Sequence, residues 1–135
     1  MISDVIEYMV ALDATSDPCV QWGTTFKFTG SSRNLFGFVL PDTPDNAVCI
    51  NPYGGSEPTA SHKDILNPNF QVWIRNKEPK KSYELAIALI KDFHKNNQIV
   101  KGVCFALSSS PVPVGLDVKG RQSFTINFTL KWVIT

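Results

Sequence analysis

The C-terminal part of the chain alternates between apolar and polar residues with a strict period of two. Even positions from 124 are apolar and odd positions from 123 to 131 are polar: Phe124, Ile126, Phe128, Leu130, Trp132 and Ile134 against Ser123, Thr125, Asn127, Thr129 and Lys131. Successive side chains of a strand point to opposite faces. The pattern therefore predicts a long strand with one buried and one solvated face.

Two other segments have a helical period. Residues 80–96 place apolar side chains on one face of a long helix, with Pro79 in its first turn: Tyr83, Ala86, Ile87, Ile90 and Phe93, widened by Leu85 and Leu89. Residues 3–12 predict a shorter helix, with Ser3 or Asp4 as its N-cap and Val5, Tyr8, Met9 and Leu12 on its buried face.

The remaining segments are assigned from shorter patterns. Residues 35–40, 47–50, 70–74 and 100–107 predict strands, and residues 19–28, after the break at Asp17-Pro18, predict a short strand or arm. Residues 51–69 are expected to form a long irregular loop.

Residues 100–107 and the C-terminal strand flank a loop of about a dozen residues, so we expect a long C-terminal hairpin. These elements predict an α+β fold for a single domain spanning residues 1–135. Its sheet is mixed and mainly antiparallel, with the N-terminal helix and the long central helix packed on one face.

Composition narrows the range of partners. The chain has 135 residues and a formal net charge of +1, so electrostatics give no reason to expect nucleic-acid or membrane-surface binding. Cys19, Cys49 and Cys104 are widely spaced, and we expect them to be buried thiols in a reducing compartment. No basic region precedes an apolar run at the N-terminus, so we expect the protein to remain in the cytoplasm after synthesis.

A search for catalytic chemistry finds no convincing site. His62 falls in the predicted loop and His94 at the end of the predicted helix, so neither is expected to bind a metal ion. Cys104 follows His94 by ten residues, but a thiol in the middle of a strand is expected to pack in the core. We therefore expect no catalytic residue, no metal and no cofactor.

Five stretches of the chain are distinctive when taken together: the run 49–55 (CINPYGG), the run 67–76 (NPNFQVWIRN), the helix start at 82–86 (SYELA), the run 113–121 (PVGLDVKGR) and the strand from Phe124 to Trp132. In this order they resemble the tail-terminator (tail-completion) and minor capsid proteins of long-tailed bacteriophages. The resemblance runs from about residue 47 to the end, with a compatible N-terminal helix. Residues 19–34 do not align with the family.

The resemblance implies a structural virion protein. Such proteins form a hexameric ring at the head-proximal end of the tail tube, stop tube growth and join the tail to the head connector. The implied partners are further copies of the chain, the tail tube protein and the connector or stopper protein, with DNA passing through the ring unread. Assembly in the host cytoplasm and location at the head–tail interface of the virion follow from the same resemblance.

A closing ring needs contacts between unlike surfaces of neighbouring subunits. We expect the 51–69 and 108–120 loops to provide them, with Tyr53 and His62 in the first loop, and Leu116, Asp117 and the adjacent Arg121 at the second. On this interpretation Asp117→Arg blocks ring formation without unfolding the subunit. Three alternatives stay open: another structural protein, either a head-completion or stopper protein on the portal side or a tube-forming protein; a ligand-binding module built on the aromatic residues of 19–38; and a small enzyme using Cys104 or a carboxylate.

Overall fold

A mixed sheet is the central layer of the computed structural model, which describes residues 1–56, 65–100 and 102–133. Within these residues the elements are α1 (Ile2–Val10), α2 (Asp17–Trp22), β1 (Leu35–Gly37), β2 (Ala47–Ser56), β3 (Ile65–Asn76), α3 (Pro79–Phe93), β4 (Gly102–Ala106), β5 (Val112–Leu116) and β6 (Gln122–Val133). The predicted α+β fold is confirmed.

Strand β6 connects the two halves of the sheet. The described strands follow the order β1-β2-β3-β6-β4, and β5 also pairs with β6. Strand β4 pairs with residues 128–132 of β6, and β5 pairs with residues 122–125, so the two strands share one edge of β6. Strands β1 and β2 are parallel and the other pairs are antiparallel. This confirms the mixed, mainly antiparallel sheet and the pairing of residues 100–107 with the C-terminal strand.

The core lies on one face of the sheet. The ring of Phe128 on β6 lies 5.2 Å from that of Phe70 on β3 and 5.1 Å from that of Phe93 on α3, measured between centroids. Residues of α1, α2 and α3 all join the same buried cluster as the sheet residues, which confirms that the helices pack on one face. On the opposite face Ser123 and Thr125 are also buried, so the expectation of a solvated second face is wrong at the start of β6.

The long helix is confirmed, with corrections at its end and on its buried face. Helix α3 ends at Phe93 rather than near Asn96, because the backbone of His94 is extended, with a ψ of 127°, and Lys95 follows with a positive φ of 60°. Leu85 and Leu89 are fully buried, whereas Tyr83 is exposed at the border of the core. The buried face is therefore rotated from the predicted one toward the two leucines.

The N-terminal third departs more from prediction. Helix α1 is confirmed, but Met1 takes the N-cap position and its amine lies 3.2 Å from the carboxylate of Asp4. The strand or arm predicted from residue 19 is wrong, because Asp17–Trp22 is a helix. Pro18 lies in its first turn, where a missing N–H breaks no helical hydrogen bond, and Gly23 ends it with a φ of +82°.

The predicted irregular loop at 51–69 is mostly strand. Residues 51–56 extend β2 and residues 65–69 begin β3, and residues 57–64 lie outside the described part of the chain. Pro52 fits into β2 because it pairs with Phe70 on one side, while the register of β1 ends at Ile50 on the other. A missing N–H at an open strand edge breaks no ladder hydrogen bond.

We expect Phe128→Ala to destabilise the fold by about 3–5 kcal/mol, because it removes a fully buried ring that joins α3 to β3 and β6. The matched control is Phe28→Ala, since Phe28 is exposed and the change should cost less than about 1 kcal/mol. Urea unfolding measures both. Equal losses for the two variants would contradict this description of the core.

Candidate functional site

Strand β5 and the turn after it form an exposed apolar hairpin with the start of β6. All five residues of β5 are exposed, and Leu116 and Val118 expose 66% and 103% of their surface. No described strand pairs with the outer edge of β5. A free strand edge with apolar side chains is typical of a surface that another chain covers.

The turn of this hairpin is built around the side chain of Asp117. Its Oδ1 atom accepts hydrogen bonds from the backbone amides of Lys119 (2.9 Å) and Arg121 (3.0 Å). Gly120 provides the left-handed conformation that the turn requires, with a φ of +73°, and its amide donates to the Asp117 carbonyl. Asp117 therefore fixes the shape of the hairpin.

Arg121 ties the hairpin to a loop about 80 residues earlier in the chain. Its side chain is only 4% exposed. Nε donates to Asp117 Oδ2 (2.7 Å), Nη2 to Asp42 Oδ1 (2.9 Å), and Nη1 to the Asp42 carbonyl (2.6 Å) and Asp45 Oδ1 (3.3 Å). Lys119 Nζ also binds the Asp42 carboxylate. Burial alone would lower the pKa of Arg121, but its hydrogen bonds to Asp117 and Asp42 raise it above the usual value.

A second buried guanidinium, that of Arg75 on β3, holds the same loop. It donates to the backbone carbonyls of Pro41 (2.8 Å), Pro44 (2.6 Å) and Asp45 (3.0 Å). Burial, followed by the nearby charge of Arg121, lowers the pKa of Arg75. Residues 41–45 are thus fixed to the end of the sheet by Arg75 and Arg121 together.

Just before this loop, Phe38 and Val39 form an exposed apolar turn. The amide of Val39 donates to the Gly37 carbonyl (2.8 Å) across Phe38, whose φ is 68°. This is a γ-turn of the rare, strained type, and such a conformation costs a bulky residue about 1–3 kcal/mol. Phe38 and Val39 are nevertheless 66% and 71% exposed, so burial within the chain does not offset the strain.

A cleft of about 760 Å³ lies between α2 and α3. Its apolar lining includes Leu12, Pro18, Tyr83, Ile87 and Ala88. Its charged lining is mostly acidic: Asp17, Glu84 and Asp92 against Lys91. None of the aromatic side chains of residues 19–38 lines this cleft, and Trp22, Phe26 and Phe36 are buried. The aromatic pocket that the ligand-binding alternative required is therefore not formed at this cleft.

The side chains considered for catalysis from the sequence, the cysteines and His94, are buried or hydrogen-bonded within the fold. The described residues include no cluster of three or more His, Cys, Asp or Glu side chains placed to hold a metal ion. Burial raises the pKa of Cys104 to about 12 and that of Cys49 to about 11, so both thiols stay protonated near neutral pH. His94 lies at the end of α3, as expected, where its Nδ1 accepts a hydrogen bond from the Ala106 amide (3.1 Å). No helix in the described residues has both the length and the hydropathy needed to cross a membrane.

Comparison with known families identifies the family of the chain. The family model described as bacteriophage tail terminator protein matches residues 6–134. The chain belongs to this family. No curated protein and no solved structure matches the chain. The match covers nearly the whole chain. It supports a structural role in the phage tail, since the family is one of structural proteins and not of enzymes.

The structure brings three of the predicted interface residues of this tail-terminator protein together and separates a fourth. Leu116, Asp117 and Arg121 share the hairpin, but only Leu116 is free to meet a partner, since the other two bind within the chain. Tyr53 is exposed but lies far from the hairpin. Its neighbour Pro52 is level with Phe128 across the sheet, and Phe128 is six residues along β6 from the residue that pairs with Leu116, a separation of about 20 Å. His62 lies outside the described residues.

Sequence reasoning missed strand β5 and the exposed turn at Phe38 and Val39. The alternation of β5 is hidden by Pro113 and by Gly115, which has a φ of +107° and lies at a register shift opposite β6. The turn fell within a predicted strand, residues 35–40, which the structure ends at Gly37. The three consecutive apolar residues before Pro41 were the available signal, but they also fit a strand.

We expect Arg121→Met to destabilise the protein by about 2 kcal/mol, because charge-assisted hydrogen bonds are lost at a buried position. The matched control is Lys77→Met. Lys77 also binds Asp45, at 3.0 Å, but its side chain is mostly exposed, so the change should cost less than about 1 kcal/mol. Chemical denaturation at pH 7 measures both variants, and an equal effect would contradict the role given to burial.

The Arg121 network also predicts a dependence on pH. Hydrogen bonds, led by those from Lys119 to Asp42, from Lys77 to Asp45 and from the Arg121 amide to Asp117, lower the pKa values of the three carboxyls below their usual 3.8. Their contribution to stability is therefore complete above about pH 4 and lost as the pH falls through the lower native values.

The stability difference between the wild type and Arg121→Met should thus be constant from pH 7 to about pH 5 and shrink toward pH 2. Denaturation midpoints across this range test the expectation. A difference that stays constant down to pH 2 would show that the carboxylates contribute nothing through Arg121.

Proposed function

We propose that this chain forms a ring at the head-proximal end of the phage tail tube, where it ends tube growth and joins the tail to the head connector. The observation that carries the proposal is the match of the tail-terminator family across residues 6–134. The proposed partners are further copies of the chain, the tail tube protein and the connector or stopper protein. Six subunits per ring, location at the head–tail interface and assembly in the host cytoplasm follow from the resemblance of the sequence to this family.

The exposed hairpin supports assembly through contacts between subunits. A ring requires heterologous contacts, in which one surface of a subunit meets a different surface of its neighbour. The hairpin offers a free edge at β5 and the exposed side chains of Leu116 and Val118, and its shape is fixed before assembly by Asp117 and Arg121. A surface fixed in advance loses less conformational entropy on association. We therefore place Leu116 in a subunit contact and assign Asp117 and Arg121 to positioning it.

The charge of the chain fits a channel through which DNA passes unread. The formal net charge is +1 in 135 residues. Proteins that hold DNA do so largely by neutralising phosphates with many Lys and Arg side chains. A nearly neutral subunit provides little of this attraction, so we propose that DNA crosses the ring without being bound tightly.

The function is tested by electron microscopy of lysates from a phage that lacks the gene for this chain. We expect overlong tails without heads, because nothing stops the tube or joins it to the connector. Tails of normal length beside empty or leaking heads would instead assign the protein to head completion on the portal side. Intact infectious particles would contradict any structural role of this kind.

Leu116→Asp tests the hairpin contact itself. A carboxylate placed in an apolar subunit contact is unpaired and desolvated, so we expect each contact to weaken about 30-fold or more while the monomer stays folded. The matched control is Leu107→Asp, because Leu107 is also exposed but lies away from the hairpin. Its amide donates to the Asn127 carbonyl, and Asn127 is about 17 Å along β6 from the residue that pairs with Leu116.

Ring formation is scored by native mass spectrometry and by complementation of the gene-deficient phage. Loss of rings and of infectivity with Leu116→Asp, but not with Leu107→Asp, is the expected result. Normal rings with both variants would remove the hairpin from the interface. Asp117→Arg is a weaker test than the sequence suggested, since the change also breaks the turn and the contact with Arg121.

A further inference from the structure

We infer that Phe38 and Val39 of one subunit insert into the α2–α3 cleft of a neighbouring copy. The inference rests on the proposed ring and names a pair of surfaces that closes it. The occupant of the cleft is thus a second copy of this chain.

The first observation is that the turn is held in an unfavourable conformation without any benefit inside the chain. Phe38 has a positive φ and is mostly exposed. On both sides the chain is fixed: the Phe38 amide donates to the Ile50 carbonyl (3.0 Å), and Leu40 packs on the buried cluster of Phe36 and Cys49. Strain that persists in a fixed, exposed segment is a feature of binding elements.

The second observation is a cleft with a matching apolar lining. Leu12 and Pro18 line one side, and Tyr83, Ile87 and Ala88 of α3 line the other. Its volume of about 760 Å³ is within the range of sites that enclose a group of several side chains' size. Aromatic and aliphatic side chains inserted into such a pocket are the usual anchors of a protein interface.

The third observation is that the charges around the turn and the cleft are opposite. Asp17, Glu84 and Asp92 outnumber Lys91 in the cleft, and the lining stays acidic after Glu84 pairs with Lys80 at 3.8 Å. Along β1, Arg33 lies over the Phe36 ring at 5.2 Å, and the backbone of Lys27 hydrogen-bonds to Leu35. The carboxylates that follow the turn, those of Asp42 and Asp45, are already paired with cations of the same chain. Among the described residues neither Arg33 nor Lys27 forms an ion pair. Opposite charges favour a cleft of one copy meeting the turn of another.

The positions of the two surfaces fit a ring. The turn ends β1, the strand at one edge of the described sheet, whereas the cleft lies in the helical layer near α3, which packs on β3, β6 and β4. The turn and the cleft are therefore two different surfaces of the subunit. In the inferred contact, each copy presents its turn to one neighbour and its cleft to the other. Such a head-to-tail contact is the kind that generates closed rings.

Disulfide trapping in assembled particles tests the pair directly. Phage carrying Val39→Cys with Tyr83→Cys, or Val39→Cys with Gln21→Cys on the other wall of the cleft, are purified and oxidised. The natural thiols should not interfere, since all three are buried. We expect a ladder of dimers and higher multimers on non-reducing gels for at least one of the two pairs. The control pair, Val39→Cys with Lys131→Cys on an exposed position of β6, and each single variant should remain monomeric.

Each alternative result has a definite meaning. Tails of normal length that contain the protein but give no ladder would overturn the inference and leave the proposed ring intact. Dimers from Val39→Cys alone, or a link to a protein of another mass, would also overturn it, because the turn would then meet a symmetric or foreign partner. Absence of the protein from normal tails would instead refute the proposed function.

Phe38→Gly gives a second test, with opposite effects on folding and assembly. Glycine accepts a positive φ without strain, so the melting temperature of the isolated protein should stay unchanged or rise by about 2–5 °C. Each subunit contact should weaken about 30-fold, because the phenyl side chain that fills the cleft is lost. A melting temperature several degrees below the wild type, with normal rings, would show that Phe38 serves the fold and not the contact.

Discussion

The proposed assembly surfaces of this protein depend on two buried guanidinium groups. A buried charge is costly unless hydrogen bonds satisfy it. Arg75 meets this requirement through three backbone carbonyls of the 41–45 loop, and Arg121 through the carboxylates of Asp42, Asp45 and Asp117. Because both side chains bind the same loop, they join the start of β6, the end of β3 and the segment after β1 into one unit. The exposed hairpin and the exposed turn both project from this unit.

This arrangement leaves apolar surfaces of an ordinary α+β domain available for the contacts proposed here. The core of Phe70, Phe93 and Phe128 stabilises the sheet and its helices and leaves the strand edges available. The hydrogen bonds of Arg75 and Arg121 then hold apolar side chains at the surface, where they contribute nothing to folding. In the proposed ring, the hairpin and the turn meet neighbouring copies with little further ordering, which lowers the entropic cost of each contact.

Local patterns predicted the elements whose side chains follow one period. The alternation of β6 and the helical spacing of α3 come from packing on a single core face, so the sequence shows them directly. The errors arose where proline and glycine have more than one meaning. Pro18 starts a helix rather than ending one, and Pro52 lies at an open strand edge. The contact of Arg121 with Asp42 joins residues 79 apart, and no local pattern carries it. The sequence therefore predicted a loop at 108–120, but neither strand β5 within it nor the roles of Asp117 and Arg121.

Cryo-electron microscopy of the head–tail junction in intact particles would show whether the chain forms the proposed ring. We expect a single ring of this fold between the tail tube and the connector, with residues 112–121 of each copy at a subunit contact. A junction that lacks the chain, or a ring whose hairpins all point away from neighbouring subunits into solvent, would contradict it.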